Sequence, residues 1–480
     1  MSARITAALI AIGAMLNGCM LLGPDYKRPD VSLPASYPES GSTGTTVSVP
    51  ANWWLLYKDP LLDKLVAAGL AQNTDVKLAV ARIEEAEAIL RETNAATLFP
   101  QIDIDAFAGR SRASTRAGGT PPVAGATSND FQLAARTSFE LDFWGRLRRL
   151  REAARAQYAA TRYGRDVVAL TLAAGISQTY FNLRSLDAQI IHSQETLKAA
   201  AESVDIARSR ADAGLISELD VNQGEGNRAQ LAAQIKDLQR LRAATMHQLG
   251  VLTGVLDLEV GQGDVRALPL PPLPPPGLPS TLLQRRPDVR EAEAALAAAT
   301  AQIGAARAAQ FPTLSITGAL GAQSAELSNL FSSGAGIWSI GLGLVGPIFD
   351  AGRSAARTDQ ARARAQQTAA IYERTVQTAF REVADALSNV RLSADAEDDQ
   401  RQRVGQARNA LRLATLRYES GYSAYLEVLD AQRTLNDALL ALVRNRQLLL
   451  GFTVDLMNAL GGGWVPPSNQ LPDGIAGTIP

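Results

Sequence analysis

Two segments of the chain alternate apolar and polar residues with a period of two. Residues 131–143 place mostly apolar side chains at odd positions, and in 338–344 bulky apolar residues alternate with serine or glycine. This period is typical of β-strands with two different faces. Partner strands are expected at 102–108 and 314–320. The sequence therefore predicts two β-hairpins, which is also compatible with a small sheet packed on a soluble core.

Each pair of strands precedes a long stretch with the pattern of packed helices. No proline occurs in 123–268 or 348–465, and both stretches are rich in Ala, Leu, Arg, Gln and Glu, which favour helices. Apolar residues recur at steps of three and four, as in Val376, Phe380, Val383, Leu387, Val390, Val404, Leu411 and Tyr418. A helix over 146–212 would be roughly 100 Å long, which predicts a bundle of very long helices.

Each helical stretch is interrupted once by glycine. Gly214 is followed by Ser217 and Asp220, and Gly421 is followed by Tyr422 and Ser423. Glycine commonly ends a helix, and serine commonly begins one. We therefore expect a helical hairpin in each half of the chain, with its turn at these glycines.

The two halves repeat one another. Gly145-Arg146 matches Gly352-Arg353, and Gly214 matches Gly421, both at an offset of 207 residues. The repeat predicts that one structural unit occurs twice. The Pro-rich stretch 268–279 lies between the units and is expected to be a semi-rigid linker, with peptide recognition as the alternative.

The amino terminus has the pattern of an export signal. Arg4 precedes a short apolar run, and Leu16-Asn17-Gly18-Cys19 follows. This arrangement resembles a bacterial lipoprotein signal, in which Cys19 would become the acylated first residue. An ordinary signal peptide with a stray cysteine is the alternative.

Composition excludes several kinds of site. The net charge of -1 in 480 residues gives no basic surface for nucleic acid. One cysteine and two distant histidines, His192 and His247, argue against a disulfide, a zinc site or a Cys-His nucleophile pair. No cofactor, metal site or catalytic residue is predicted.

If the short strands cross a membrane, they constrain how many chains assemble. Every backbone group in a bilayer must be paired, so membrane strands form closed barrels. The smallest practical barrels have about eight strands, which four cannot supply. Several chains must then share one barrel, and three chains would give twelve strands.

Several motifs, in order along the chain, resemble one family. They are Gly23-Pro24-Asp25-Tyr26-Lys27-Arg28-Pro29, Trp53-Trp54 with Asp59-Pro60, Arg285-Arg286-Pro287-Asp288-Val289-Arg290, Phe311-Pro312, Phe349-Asp350-Ala351-Gly352-Arg353, and Leu429-Asp430-Ala431-Gln432-Arg433. Together they resemble the outer-membrane efflux proteins of the TolC and OprM type, in particular their lipoprotein branch. The resemblance covers almost the whole mature chain.

The resemblance implies a mainly α fold with a membrane β-barrel. A homotrimer would form a twelve-stranded barrel in the outer membrane and a helical tunnel through the periplasm. It would be the passive exit duct of a tripartite efflux system, anchored in lipid through acylated Cys19. Its partners would be a periplasmic adaptor protein and an inner-membrane pump.

The resemblance also implies roles for particular residues. A periplasmic gate is expected at Asp430 and Arg433, with Tyr418 and Leu426 as neighbours; a local ion pair on a solvated helix is the alternative. The adaptor is expected to dock at the hairpin tips, formed by Gly214, Leu215, Gly421 and Tyr422. The arginines that begin the long helices, among them Arg146, Arg149 and Arg357, either face anionic headgroups or are merely solvated.

The expected organisation places each repeat between short flanking segments. A signal peptide (1–18) and a lipid-anchored segment (19–60) precede the first repeat (61–263). The linker (264–279), second repeat (280–463) and tail (464–480) follow. Two other functions remain open: a lipoprotein scaffold without a pore, and a cell-wall enzyme, for which no recognised catalytic motif is present.

Overall fold

The computed structural model describes residues 21–37, 49–112, 114, 127–274 and 282–465. The predicted signal peptide and Cys19 lie outside the described residues. So do residues 275–279 of the linker, the first two residues of the second repeat and the tail after Val465.

The first repeat contains four helices and two strands. A short 3-10 helix, Trp53–Tyr57, precedes it. Its elements, in order, are α1 (Pro60–Gln72), α2 (Thr74–Leu98), β1 (Gln101–Arg112), β2 (Thr127–Leu141), α3 (Arg146–Asp212) and α4 (Glu218–Thr253). α3 has 67 residues and is therefore roughly 100 Å long.

The second repeat has the same order of elements. After a helical turn at Leu282–Arg285 come α5 (Pro287–Ala308), β3 (Thr313–Ser324), β4 (Gly336–Val345), α6 (Arg353–Glu419) and α7 (Tyr425–Ala459). α6 also has 67 residues, so the internal repeat expected from the glycine spacing is present in the fold.

Local side chains define where the first helices begin. Asp59 accepts hydrogen bonds from the backbone N–H groups of Leu61 and Leu62, and Pro60 occupies the first helical position. Asn73 ends α1 and begins α2, since its side-chain oxygen accepts from the N–H of Asp75 at 2.7 Å. These caps satisfy N–H groups that have no partner within the helix.

The hairpin turns have the predicted glycines at the ends of α3 and α6. Gly214 and Gly421 have φ of 70° and 79°, which glycine adopts at low cost. The N–H groups of Leu215 and Tyr422 donate to carbonyls five residues earlier, at 2.9 and 2.8 Å, as in a Schellman motif. Both turns are therefore built in the same way.

The two turns differ in how the next helix begins. Ser217 caps α4 by accepting from the N–H of Leu219 at 3.1 Å. The expectation that Ser423 has the equivalent role is wrong, because α7 begins after Ala424, which has no side-chain cap. Ala424 is the residue that matches Ser217 at the offset of 207.

The four strands form one antiparallel sheet in the order β1-β2-β3-β4. The two repeats meet at its centre, where Phe139 of β2 lies opposite Ile316 of β3. The sheet therefore joins the two predicted hairpins, and β1 and β4 lie at its edges.

The largest core lies halfway along the long helices. Trp53 and Tyr57 are fully buried against the middle of α3 and the end of α7. Tyr57 shares a hydrogen bond of 2.7 Å with Thr453, which ties the segment before α1 to α7.

The start of the linker joins this core, since Leu268 is buried and its carbonyl accepts from Arg446 at 2.7 Å. The apolar seam predicted on α6 is confirmed, with Val376 and Val383 buried in the same core.

Glu291 of α5 provides a prediction about pH. Burial, and then the negative charge of Asp288, raises the pKa of the Glu291 carboxyl above its usual 4.5. The carboxyl lies against Gly164, where an added Cβ would be 3.0 Å from its Oε1 atom. The folded protein thus binds a proton at the Glu291 carboxyl more tightly than the unfolded chain does, and this tighter binding stabilises the fold. Its stabilising effect is present below pH 4.5 and is lost as pH rises through the folded pKa.

We therefore expect Glu291→Gln to raise the melting temperature at pH 8, where the wild-type carboxylate is charged and poorly solvated. The difference should shrink as pH falls and vanish below about pH 4.5. Thermal unfolding of detergent-solubilised protein, followed by circular dichroism, measures it. Exposed Glu259→Gln is the control, and equal effects of the two substitutions at every pH would contradict this account.

Candidate functional site

One face of the sheet is apolar and uncovered. The register places Ile104, Ala135, Leu320 and Trp338 in one row across the four strands. Trp338 and Ile340 of β4 are 77% and 76% exposed. The isolated chain therefore presents a contiguous apolar surface to its surroundings, unlike a sheet packed on a soluble core.

The opposite face of the sheet is polar. Asp103 lies opposite Arg136, which lies opposite Ala319, and Ser339 completes this row. Arg136 also forms an ion pair of 2.8 Å with Asp105. The two faces thus differ in the way that separates lipid from water in a membrane sheet.

Both edges of the sheet are free within the described chain. β1 has 12 residues and β4 has 10, and each pairs with a strand on one side only. A long unpaired edge is a ready template for another strand. The sheet is therefore incomplete in one chain.

The strands lead into the long helices through similar turns. Gly145 and Gly352 have φ of 78° and 83° directly before α3 and α6. Asp142 accepts from the N–H groups of Leu147 and Arg148, both at 2.9 Å. At the second junction, hydrogen bonds from Ser354 and nearby backbone N–H groups lower the pKa of the Asp350 carboxyl.

The arginines at these junctions have different environments. Arg146 pairs with Glu140, Arg148 pairs with Asp142, and Arg357 is exposed. Arg149 is almost fully buried, and neither sequence alternative describes it. Its guanidinium donates to the carbonyl of Leu22 at 3.1 Å and to the carboxylates of Asp25 and Glu152, both at 2.8 Å.

The amino-terminal segment is fixed by α3 and α5. The N–H of Leu22 donates to the carbonyl of Trp144 at 3.3 Å. Gly23 lies directly on Gly304, where an added Cβ would be 2.7 Å from the carbonyl oxygen of Leu22. Arg28 forms an ion pair of 2.7 Å with Glu293. These contacts explain why glycine and arginine stand at these places in the motif, and they hold Leu22 at the junction of sheet and helices.

The residues predicted to form a gate lie on both helices of the second hairpin, near its turn. Tyr418 packs against Tyr425, with ring centroids 5.1 Å apart, while Leu426 and Asp430 are exposed. Within the described chain, the Asp430 carboxylate has no ion pair or hydrogen bond, so the local pair with Arg433 does not form.

Arg433 instead connects the two repeats. Its Nε donates to the side-chain oxygen of buried Asn227, on α4, at 3.2 Å. Sequence reasoning did not identify Asn227, because nothing in its local pattern indicates a contact 206 residues away. Asn227, Arg433 and Asn436 line a polar cavity of about 430 Å³ between the hairpins.

The hairpin tips expose large apolar side chains. Leu215 is 73% exposed and Tyr422 is 80% exposed, each directly after the glycine of its turn. They lie at the end of the molecule far from the sheet, because α3 and α6 separate the two ends by their full length.

The described part of the chain contains neither a membrane-spanning helix nor a metal cluster. None of the helices there is long and apolar enough to cross a membrane. No cluster of three or more His, Cys, Asp or Glu residues in the same part of the chain is placed to hold a metal ion.

Comparison with known sequences identifies the family. The sequence model of the family described as "Outer membrane efflux protein" matches residues 65–255 and 278–462. The toluene efflux pump outer membrane protein TtgC of Pseudomonas putida is 33% identical over 97% of this chain and 98% of its own length. The "Probable outer membrane lipoprotein SilC" of Salmonella typhimurium is 34% identical over 94% of this chain and 97% of its own.

Solved structures agree with the sequence comparisons. The outer-membrane channel OprN has a TM-score of 0.86 at 30% identity, over 92% of this chain and 99% of its own. The MtrE outer membrane channel of Neisseria gonorrhoeae, in its open state, has a TM-score of 0.80 at 31% identity, over 92% and 98%.

The fold and its two-faced sheet therefore define an outer-membrane channel protein. The chain belongs to the outer membrane efflux protein family. The fold class, the outer-membrane location and the function as an outer-membrane efflux channel, all expected from the sequence, are confirmed.

Proposed function

We propose that three copies of the chain close their sheets into one twelve-stranded barrel and form a passive exit duct. The observation that carries this proposal is the sheet itself, with one bare apolar face and two edges that no other described strand pairs. Pairing β4 of one copy with β1 of the next would satisfy both edges and close the barrel without a further strand.

The space inside the barrel argues against two copies. An eight-stranded barrel is filled by its own side chains, whereas larger barrels enclose a water-filled lumen. Twelve strands place the polar face, with Arg136 and Ser339, around such a lumen, and the apolar face against lipid.

Oligomeric state and conductance test this proposal together. The purified protein should migrate as a trimer in an unheated detergent gel, dissociate on heating and conduct ions in planar bilayers. A stable monomer without conductance would instead support a scaffold function.

The duct performs no chemistry in this account, and it requires no cofactor. A periplasmic adaptor and an energised inner-membrane pump would deliver the cargo, and the duct would conduct it outward. Relatives are named for toluene and for antibiotic efflux, so small organic molecules are the proposed class of cargo.

The gate is proposed at the periplasmic end of this duct. Arg433 and Asn227 link α7 of the second hairpin to α4 of the first, and Tyr418 packs nearer the tip on α6. Asp430 and Leu426 are exposed in one chain and would face the narrow end of the lumen in a trimer. A ring of charged and apolar residues there would restrict ion flow.

The hairpin tips are proposed as the adaptor's docking surface. A photo-reactive amino acid placed at Leu215 or Tyr422 should give a covalent product with the adaptor in intact cells, because both side chains are mostly exposed. The matched control is Phe331, which is 80% exposed on the β3–β4 connection at the other end of the molecule. Equal yields at Phe331 and at the tips, or no product at the tips, would reject this docking surface.

Acylation of Cys19 is proposed as the membrane anchor. Only two residues separate Cys19 from Leu22, which lies beside Trp144 at the junction of sheet and helices. Acyl chains on Cys19 could therefore enter the same leaflet that surrounds the base of the barrel.

We expect Cys19→Ala to abolish incorporation of labelled palmitate. The trimer should persist, because strand pairing rather than the acyl chains closes the barrel. Metabolic labelling and an unheated gel of the same membranes measure both results. Labelling that persists in Cys19→Ala would exclude this anchor.

A further inference from the structure

A groove of about 640 Å³ lies between α3, α5 and α6, directly below the sheet. Alanines of α5 form much of its surface, and Arg146, Arg357 and Arg364 also line it. No aspartate or glutamate is among the described residues that line it. The groove thus has an apolar floor, formed by the alanines of α5, and positively charged side chains around it.

The helices α3, α5 and α6 would form part of the tunnel wall. The contacts of Arg146 show on which side of this wall the groove lies. Its guanidinium forms two hydrogen bonds with the Glu140 carboxylate, at 2.9 and 2.6 Å. Glu140 lies opposite Ser315 and belongs to the polar face of the sheet. The groove therefore continues the face that surrounds the lumen in the proposed trimer.

The amino-terminal segment marks the other side of the same wall. Pro29 and Asp30 line an open pocket together with Gln366 and Glu373 of α6. At 100° per residue, the side chains of Arg364 and Gln366 point about 200° apart. Since this segment leads back to the proposed anchor at Cys19, its side is the outer one and Arg364 faces inward.

Arg146 is neutralised by Glu140, whereas Arg357 and Arg364 have no such partner among the described residues. Both side chains are exposed, and neither guanidinium has an ion pair or hydrogen bond with another described residue. Arg362, which lies four residues from Gln366 on the outer side, instead pairs with Asp359 at 2.8 Å. The inward arginines therefore keep their full charge for a mobile ligand.

We propose that Arg357 and Arg364 form a cationic collar in the lumen below the barrel, and that it favours amphipathic organic anions as cargo. A guanidinium pairs well with a carboxylate or sulfonate, and the alanine floor accepts the apolar part of such a molecule. The collar rests on the proposed trimer, in which three chains bring six of these charges together.

The local potential can be measured with charged thiol reagents. Gln360, between the two arginines on the groove surface, is replaced by cysteine in the full-length protein. A negatively charged sulfonatoethyl and a positively charged trimethylammonioethyl methanethiosulfonate are then compared, each normalised to its rate with a small free thiol. The parental chain, whose only cysteine is Cys19, gives the background.

We expect the anionic reagent to be favoured about tenfold at low ionic strength. Adding Arg357→Gln and Arg364→Gln should remove this preference, whereas Arg362→Gln should retain it. Equal normalised rates of the two reagents with the Gln360→Cys protein would overturn the collar. Carboxylates of a neighbouring copy that neutralise the arginines would give this result. Failure of both reagents to react, or a preference that survives the double substitution, would overturn the collar equally.

The same samples separate this outcome from failure of the duct. An unheated gel reports whether the trimer is present. A trimer without charge preference rejects the collar alone, whereas a stable monomer rejects the proposed function.

Discussion

Replacing Asp430 and Arg433 together by alanine is expected to raise single-channel conductance in planar bilayers several-fold. The substitution removes the contact between Arg433 and Asn227, which connects α7 of the second repeat to α4 of the first. It also removes the exposed charge of Asp430 at the proposed constriction. Both changes should widen the narrowest part of the duct, which limits the ion flow.

A second pair of the same charges provides the control for the gate. Arg381 and Asp385 form an exposed ion pair of 3.0 Å higher on α6, and their replacement by alanine should leave conductance unchanged. Asn227→Ala, which breaks one contact of Arg433, should give an intermediate increase. Equal conductance of wild type and the Asp430→Ala, Arg433→Ala protein would place the gate elsewhere.

Ile340→Arg is expected to prevent formation of a stable trimer in the membrane. Ile340 is 76% exposed on the apolar face of β4 and would face lipid in the closed barrel. A lipid-facing arginine costs about 2–4 kcal/mol at the middle of a bilayer, and each trimer would carry three. The fraction of heat-labile trimer in unheated gels of outer membranes measures the effect.

The adjacent residue provides a matched control. Ser339 lies on the polar face of the sheet, where it pairs with Ala319 of β3. Ser339→Arg places the same side chain one residue away, in the aqueous lumen, and should leave the trimer intact. Loss of the trimer in Ser339→Arg but not in Ile340→Arg would mean that the faces are reversed.

Periodic patterns predicted the elements of this fold because each pattern reports one local environment. The expected arm over 146–212 has the bounds observed for α3. The strand expected to reach Phe143 ends at Leu141, because Asp142 caps α3 instead of continuing the alternation. The strands predicted at 102–108 and 314–320 are present but extend further than predicted. Their ends lack the apolar alternation, so the sequence pattern did not reveal them.

Contacts between distant segments could not be predicted in the same way. Burial of Arg149 depends on carbonyls and a carboxylate of residues more than a hundred positions earlier. The pairing of β2 with β3 and the contact of Arg433 with Asn227 also join separate repeats. The gate and docking residues came from resemblance to a family, and their roles remain predictions.

Cysteine cross-linking between the two edge strands tests the shared barrel most directly. β1 and β4 are three strand spacings apart within one sheet, roughly 14 Å, whereas a disulfide requires Cα atoms within about 7 Å. A disulfide between Ile104→Cys and a cysteine at Trp338, Ile340 or Leu342 must therefore join different copies. Oxidation of intact outer membranes should give a covalent trimer for at least one of these pairs, and the parental chain should give none. Monomers alone for every pair along β4 would contradict a barrel closed by three chains.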